Sequence, residues 1–328
     1  MNSVTAESLL SHTWFGLIGL MLVLYVITDG FDLGVGILSL FRSKESDRDL
    51  MIQSIGHVWD ANETWLVVLG GALFGAFPAA YAMLLSDLYV PVMVLIASLI
   101  MRGAAIEFRH AATTTRPIWD RVFGIGSLLT AVCQGVILGK VITGLLPGSL
   151  QTGFVALTAV GVVSGYALIG ATWLVKKTTG RLETAARRYS MITVVTTVAA
   201  AIAISIGTLT LSPIGAGRWE QAGVFHVLVA LAIVAALAFC YVLYSAYMGG
   251  ENGPFNATMV LFVTSFAGLA VSLFPYIVPG QLSIASAASN STTLIFMLIG
   301  MGTVMPIMIG YNLYQYHLFR GKVVAAHH

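Results

Sequence analysis

The sequence predicts an all-α integral membrane protein of about nine transmembrane helices, with its amino terminus outside and its carboxyl terminus in the cytoplasm. Three observations carry that reading. Of 328 residues, 58% are hydrophobic and only 9% are charged, with a mean hydropathy of +0.89. A soluble domain uses roughly a quarter charged residues, so most of this surface must face lipid. Apolar stretches that meet the requirement of about 20 residues per span recur at 12–41, 62–85, 87–110, 119–145, 152–176, 186–211, 222–248, 255–278 and 290–318. Basic residues accumulate in cytoplasmic loops, and here they alternate. With the amino terminus outside, inner loops hold Arg42, Lys44, Arg48, Arg109, Arg116, Arg121, Lys176, Lys177, Arg181, Arg187, Arg188, Arg320 and Lys322, thirteen of the sixteen. Outer loops hold only Arg218, while Arg102 and Lys140 lie inside spans. The inner loop from Gly249 to Gly253 is the exception, with Glu251 and no base.

Taken in order, the first span ends before Arg42. The polar stretch from Arg42 to Ala61 reads as a short helix on the cytoplasmic face. The cut between the second and third spans rests on Asp87 and Pro91. Later spans are built from Ala, Val, Leu, Ile, Gly, Ser and Thr, residues small enough for close helix packing. Loops such as Pro147 to Gln151 are too short for an extracellular module. Met1 to His12 contains no Lys or Arg and shows no cleavable signal pattern. Cys133 and Cys240 sit in apolar stretches without metal-ligand spacing, and read as buried core thiols. A net charge of +2 gives no extended basic face, so nucleic acid is not an expected partner. His327 and His328 close the chain and carry no weight here.

Ionisable residues inside a span cost about 2.5–3.5 kcal/mol on insertion scales and mark a functional site by default. Asp29 and Asp32, in Thr28-Asp29-Gly30-Phe31-Asp32-Leu33-Gly34-Val35-Gly36, are three apart and share a helix face. They lie roughly 15–20 Å from the cytoplasmic end of the span. Gly30, Gly34 and Gly36 fit either close packing or a local break in the helix. Arg102, roughly 12 Å from the inner end of its own span, is the natural counter-charge. A salt bridge to one of the two aspartates would leave the other free to carry a proton. Glu107 lies one turn nearer the cytoplasm. His57-Val58-Trp59-Asp60-Ala61-Asn62-Glu63-Thr64-Trp65-Leu66 leads into the second span. Asp60 and Glu63 have capping-box spacing, so a helix cap and a proton donor are both open. His57, Asp60, Glu63 and Glu107 fall at the inner mouth of the spans that carry Asp29, Asp32 and Arg102. That is a line of protonatable groups from cytoplasm to mid-membrane.

Haem iron needs an axial ligand, commonly a His deep in a span. Only His226 falls clearly within a span, near its outer end; His12, His57, His110 and His317 lie at interfaces or loops. No metal site is predicted. If the chain serves a haem enzyme, another subunit should carry the ligands. Lys140, a few residues after Gln134, reads as a side chain that reaches the outer surface.

The motifs around Asp29 and Asp32 and from Trp59 to Leu66 resemble subunit II of the cytochrome bd-type quinol oxidases. So do Gly70-Gly71-Ala72-Leu73-Phe74, Arg102-Gly103 and Glu107-Phe108-Arg109. Gly165-Tyr166-Ala167-Leu168 and Thr172-Trp173-Leu174 resemble its cyanide-insensitive branch, and Ala61 replaces the usual glycine of the Trp-Asp-Gly-Asn pattern. The resemblance implies one polytopic domain over 1–328, built as two four-helix bundles plus a peripheral helix. The first bundle, 12–145, carries the proton-path residues; 152–318 supplies the second bundle and the peripheral helix. It also implies a heterodimer with a larger subunit I, which holds haem b and haem d (or b in its place). The complex oxidises quinol and reduces dioxygen to water with cytoplasmic protons. This subunit is then required but not active alone, in a bacterial cytoplasmic membrane. Proton-pathway roles carry over to Asp32, Asp60, Arg102 and Glu107, with Asp29 beside them and His57, Trp59 and Glu63 in support. Some members hold a structural quinone in this subunit, and a small single-span subunit is a further expected partner. The rival readings are a proton- or sodium-coupled secondary transporter using Asp29 and Asp32, and a purely structural helper.

Overall fold

A computed structural model of the chain describes residues 3–323; His327 and His328 lie outside the described residues. Its elements run α1 (Ser3–Ser39), α2 (Glu45–Gln53), α3 (Trp59–Ala76), α4 (Pro78–Asp87), α5 (Tyr89–Ala111), α6 (Arg116–Ile142) and α7 (Ser149–Lys177). They continue α8 (Gly180–Leu211), α9 (Gly215–Trp219), α10 (Ala222–Tyr247), α11 (Gly253–Leu273), β1 (Tyr276–Val278), β2 (Leu282–Ser283), α12 (Ile284–Ala287) and α13 (Ser291–Leu318). Among the described residues eight helices are long and apolar enough to cross a membrane, and the ninth candidate is the pair α3–α4.

That pair corrects the second predicted span. Instead of one helix over 62–85, the chain turns by 119° between Ala76 and Pro78. Pro78 opens α4, where its missing N–H and fixed φ suit a first helical turn but cannot continue the preceding one. α3 alone, 18 residues, spans about 27 Å at 1.5 Å per residue. The eighth predicted span, 255–278, is also too long. α11 stops at Leu273, and the following residues form a small antiparallel pair in which Tyr276 faces Ser283. The predicted short helix on the inner side is α2, with Glu45 and Asp47 in its first turn, where the helix dipole favours acids.

The helix contacts form one continuous series, in which an amino-terminal set and a carboxyl-terminal set meet broadly at α7. α1 packs against α3 and α6, and α5 against α6; α7 packs on α8, α10 on α11, and α8 and α11 link those pairs. α1 and α6 both lie against α7, which joins the groups. α13 rests on α3 and α1 at the margin, and Trp14 Nε1 of α1 donates to the Leu294 carbonyl of α13 at 3.1 Å.

The α1–α7 contact decides what the glycines of α1 do. A Cβ on Gly34 would run into the Tyr166 carbonyl and come within 2.8 Å of the Gly170 Cα. One turn earlier, a Cβ on Gly30 would sit 2.9 Å from the Tyr166 ring. Two backbones meet without side chains between them, as in small-residue membrane interfaces. α1 is unbroken from Ser3 to Ser39, so close packing is the reason for these glycines and a helix break is not. Cys133 is buried, but Cys240 is exposed on α10. Its predicted burial is corrected, because only a narrow stripe of α10 packs on its neighbours and the rest is an outward apolar surface.

Candidate functional site

The site lies where α1, α3, α5 and α13 converge. Asp29, Asp32, Asn62 and Arg102 are each at most 1% exposed. Arg102 donates from Nη1 to Asp29 Oδ1 at 2.5 Å and from Nη2 to Glu63 Oε2 at 2.8 Å. The expected counter-charge is therefore in place, and it chooses Asp29. Glu63, with a side chain 26% exposed, reaches Arg102 from the outer margin of the cluster. Asp32 has no cation of its own. Its Oδ2 accepts from Asn62 Nδ2 at 2.7 Å, and the same nitrogen donates to the Thr28 carbonyl at 3.2 Å. The other face of that amide, Asn62 Oδ1, accepts from the Tyr316 hydroxyl at 2.5 Å. Asp29 Oδ2, Asp32 Oδ1 and Arg102 Nε are buried with no protein partner.

Three carboxyl groups thus surround one guanidinium in a setting of low dielectric. Full ionisation of all three is costly there. Removing a buried cation from such a set would leave uncompensated charge, which is far more damaging than losing an exposed pair.

The structure also separates some of the predicted residues. Asp60 and Glu107 are exposed, and neither side chain has a partner among the described residues. Glu107 is one turn below Gly103, the residue against which Trp59 packs; a Cβ at Gly103 would stand 3.3 Å from the Trp59 ring. His57 is exposed and stacks on Phe319 with ring centroids 4.4 Å apart. A cleft of about 340 Å³ opens beside Asp60, lined by His57, Thr64, Tyr311, Asn312 and Gln315 among others. It joins the start of α3 to the last turns of α13.

The capping reading of Asp60 and Glu63 is corrected. The N-cap position of α3 is Val58, without a side-chain cap. Asp60 lies two residues inside the helix, and Glu63 turns to Arg102. The turn before α3 supplies backbone acceptors directly: Trp59 N–H donates to Ile55 O at 3.1 Å. No cap is required.

Sequence reasoning missed Asn62, Tyr316 and a second polar chain above Asp29. In that chain Gln134 Nε2 donates to the Tyr25 hydroxyl at 2.7 Å, and the Tyr166 hydroxyl donates to Gln134 Oε1. Tyr25 lies four residues before Asp29, on its face of α1. It also missed the inner-face ion cluster, in which Arg109 bonds Asp120 at 2.5 Å and Asp49 at 2.6 Å, and Arg48 bonds Asp120 at 2.7 Å. The motif-internal Asn62 and the intramembrane Gln134 were visible signals; Tyr316 carried none.

The donor set does not fit a haem. Every described histidine is exposed, and His226 Nδ1 is engaged with the Ala222 carbonyl at 2.6 Å. Buried Met21 and Met51 belong to apolar core clusters. An apolar groove of about 270 Å³ between α3 and α13, bounded by Val68, Met297 and Val304 among others, has no polar side chain for a quinone carbonyl.

The family model described as "Cytochrome bd terminal oxidase subunit II" matches residues 10–319. The chain is similar to "Cytochrome bd ubiquinol oxidase subunit 2" of Bacillus subtilis (strain 168), 27% identical over 96% of this chain and 97% of that one. It is 34% identical to "Cytochrome bd-I ubiquinol oxidase subunit 2" of Escherichia coli (strain K12) over 57% of this chain and 54% of that one. A chain of the bd oxidase from Geobacillus thermodenitrificans superposes with a TM-score of 0.77, covering 94% of this chain and 98% of that one at 18% identity. At that identity the likeness shows the fold.

Proposed function

This chain belongs to the cytochrome bd terminal oxidase subunit II family, and from that premise we propose that it supplies the scaffold and the cytoplasmic proton-uptake route of a quinol:dioxygen oxidoreductase. It is a multi-pass protein of the bacterial inner membrane and a subunit of a respiratory quinol oxidase. In this reading a larger, similarly folded subunit I holds haem b and haem d (or b) and oxidises the quinol. That assignment agrees with a chain whose described histidines are all exposed. A structural quinone in this subunit stays within the reading without an assigned site, and the apolar groove between α3 and α13 offers it no hydrogen-bonding side chain.

The observation that carries the proton route is the buried Arg102 with more carboxyls around it than it can neutralise. Asp60 lines the cleft at the start of α3, and Glu63, three residues on, shares its face of the helix. Protons arriving from the cytoplasm meet Asp60 first and reach the cluster through Glu63. Arg102 contacts both Asp29 and Glu63 and fixes their positions. Asp32, bound to a neutral amide and to no cation, is the group that takes up and releases the proton. Glu107, exposed one turn below Gly103, provides a second acceptor at the inner end of α5, on a surface open to a partner chain. The complex does not work without subunit I, since this chain has no redox centre of its own in this reading.

The test is quinol-dependent oxygen uptake by the purified complex carrying Asp32→Asn or Asp60→Asn, normalised to haem content. Both substitutions should lower turnover at least tenfold while haem content stays normal. Full activity in both removes the proton-route assignment and leaves a structural subunit.

A further inference from the structure

The buried face of Asp32 is served by a residue from the far end of the chain. Asn62 is fully buried, and three contacts fix which way its amide points. Its nitrogen faces two groups that can only accept when Asp32 is ionised, Asp32 Oδ2 and the Thr28 carbonyl. Its oxygen receives the Tyr316 hydroxyl. Tyr316 is held in turn. Its ring packs edge-on against Phe31 and Trp173, with centroids 6.3 Å away in both cases. Beyond it, Lys177 Nζ donates to the Phe319 and Gly321 carbonyls, and Val323 N–H donates to Lys177 O at 2.8 Å. Lys322 Nζ bonds Glu251 at 2.8 Å. The last turn of α13 and the residues after it are thus fastened to the inner ends of α7 and α11.

We propose that Tyr316 is a positioning residue for proton transfer at Asp32, acting through the Asn62 amide. This rests on Asp32 being the proton carrier. The chemistry follows from the donor inventory. An amide has separate donor and acceptor ends, whereas a tyrosine hydroxyl both donates and accepts. With Asp32 ionised, Asn62 must present N–H to it, and the Tyr316 hydroxyl satisfies the amide oxygen. With Asp32 protonated, its O–H needs an acceptor. A half-turn of the Asn62 amide supplies one and directs the NH₂ group to the Tyr316 oxygen, which now accepts. In both states the amide end turned to α13 keeps a partner. An unpaired buried polar group would otherwise penalise one of the two protonation states. The charged and titratable groups around Asp32 are Asp29 on its own helix, Glu63 on α3, Arg102 on α5 and Tyr316 on α13. Of these only Tyr316 bonds the amide.

The experiment compares wild type, Asp32→Asn and Tyr316→Phe in the purified complex. Tyr316→Phe should lower kcat for quinol-dependent oxygen uptake per haem by about two- to tenfold, the loss expected from one net hydrogen bond. KM for quinol should stay unchanged. In the infrared difference spectrum, the carboxyl band that disappears in Asp32→Asn should shift in Tyr316→Phe. Tyr316→His, which keeps a group able to donate or accept, should retain more turnover than Tyr316→Phe. An unmoved band, or equal loss in the histidine and phenylalanine variants, overturns the role of Tyr316. Full turnover in Asp32→Asn overturns the proton-carrier reading instead, so the two failures are told apart.

Discussion

The two helix groups differ in the buried polarity they carry: intramembrane carboxyls and a guanidinium in one, chiefly hydroxyls in the other. In α1, α3 and α5 the buried charged and amide side chains reach across to other helices, Arg102 to Asp29 and Glu63 and Asn62 to Asp32, while the hydroxyls of Ser11, Ser39 and Ser98 bond their own turns. In α7, α8 and α11 several threonine hydroxyls fold back on their own helix, although Tyr166, Trp173 and Lys177 of α7 reach other segments. Thr158 bonds Phe154 O, Thr172 bonds Leu168 O, Thr193 bonds Tyr189 O and Thr258 bonds Pro254 O. A hydroxyl tied to its own preceding turn needs nothing from the rest of the protein. A buried guanidinium has no such option and commits its neighbours to one arrangement. Polarity inside a membrane helix therefore marks a site when its partner lies on another helix.

This contrast can be broken most directly at Arg102. Arg102→Met should cost about 3–5 kcal/mol, because Asp29 keeps its burial and loses its cation. Loss of assembled complex and a lower thermal midpoint are the readouts. Thr172→Val, equally buried, should change stability by no more than about 1 kcal/mol; comparable losses in the two variants would erase the distinction. The seam between the groups comes next. Gly170→Val should destabilise by about 1–3 kcal/mol through overpacking, since a Cβ there meets the Gly34 Cα at 2.6 Å. An unchanged thermal midpoint would show that the helices can part at no cost.

The smallest effect belongs to the surface clasp. Lys322, by hydrogen bond and charge, holds the exposed Glu251 carboxyl below its ordinary range. A depressed carboxyl contributes stability above its unfolded value and loses it as pH falls through the folded one. Lys322→Ala should therefore lower the thermal midpoint slightly near neutrality, and the gap should close in acid and in high salt. A gap that persists in acid means the link is not ionic.

Much of the fold and of the acid cluster was legible because insertion cost and helix periodicity are local rules. Asp29 and Asp32 stood out by depth, and Arg102 as the one base deep on the cytoplasmic side. What escaped depended on distant chain. Asn62 and Tyr316 are 254 residues apart, and no periodicity pairs them. Asp60 and Glu63 had the spacing of a cap, but Val58 takes the N-cap position and Glu63 turns to Arg102. Pro78 was hidden inside an apolar run, where hydropathy reads straight through a 119° turn.

The crossing of Gly34 over Gly170 has a mechanical meaning. Side chains between two helices act as bearings: they can change rotamer and let one surface slide on the other. At this joint there are none, and it lies within a turn of Asp32. A rocking motion between the two halves would have to prise backbone from backbone at the very depth where the acids sit. The halves are pinned like crossed beams, and the acids of α1 are held at a fixed depth beside the joint.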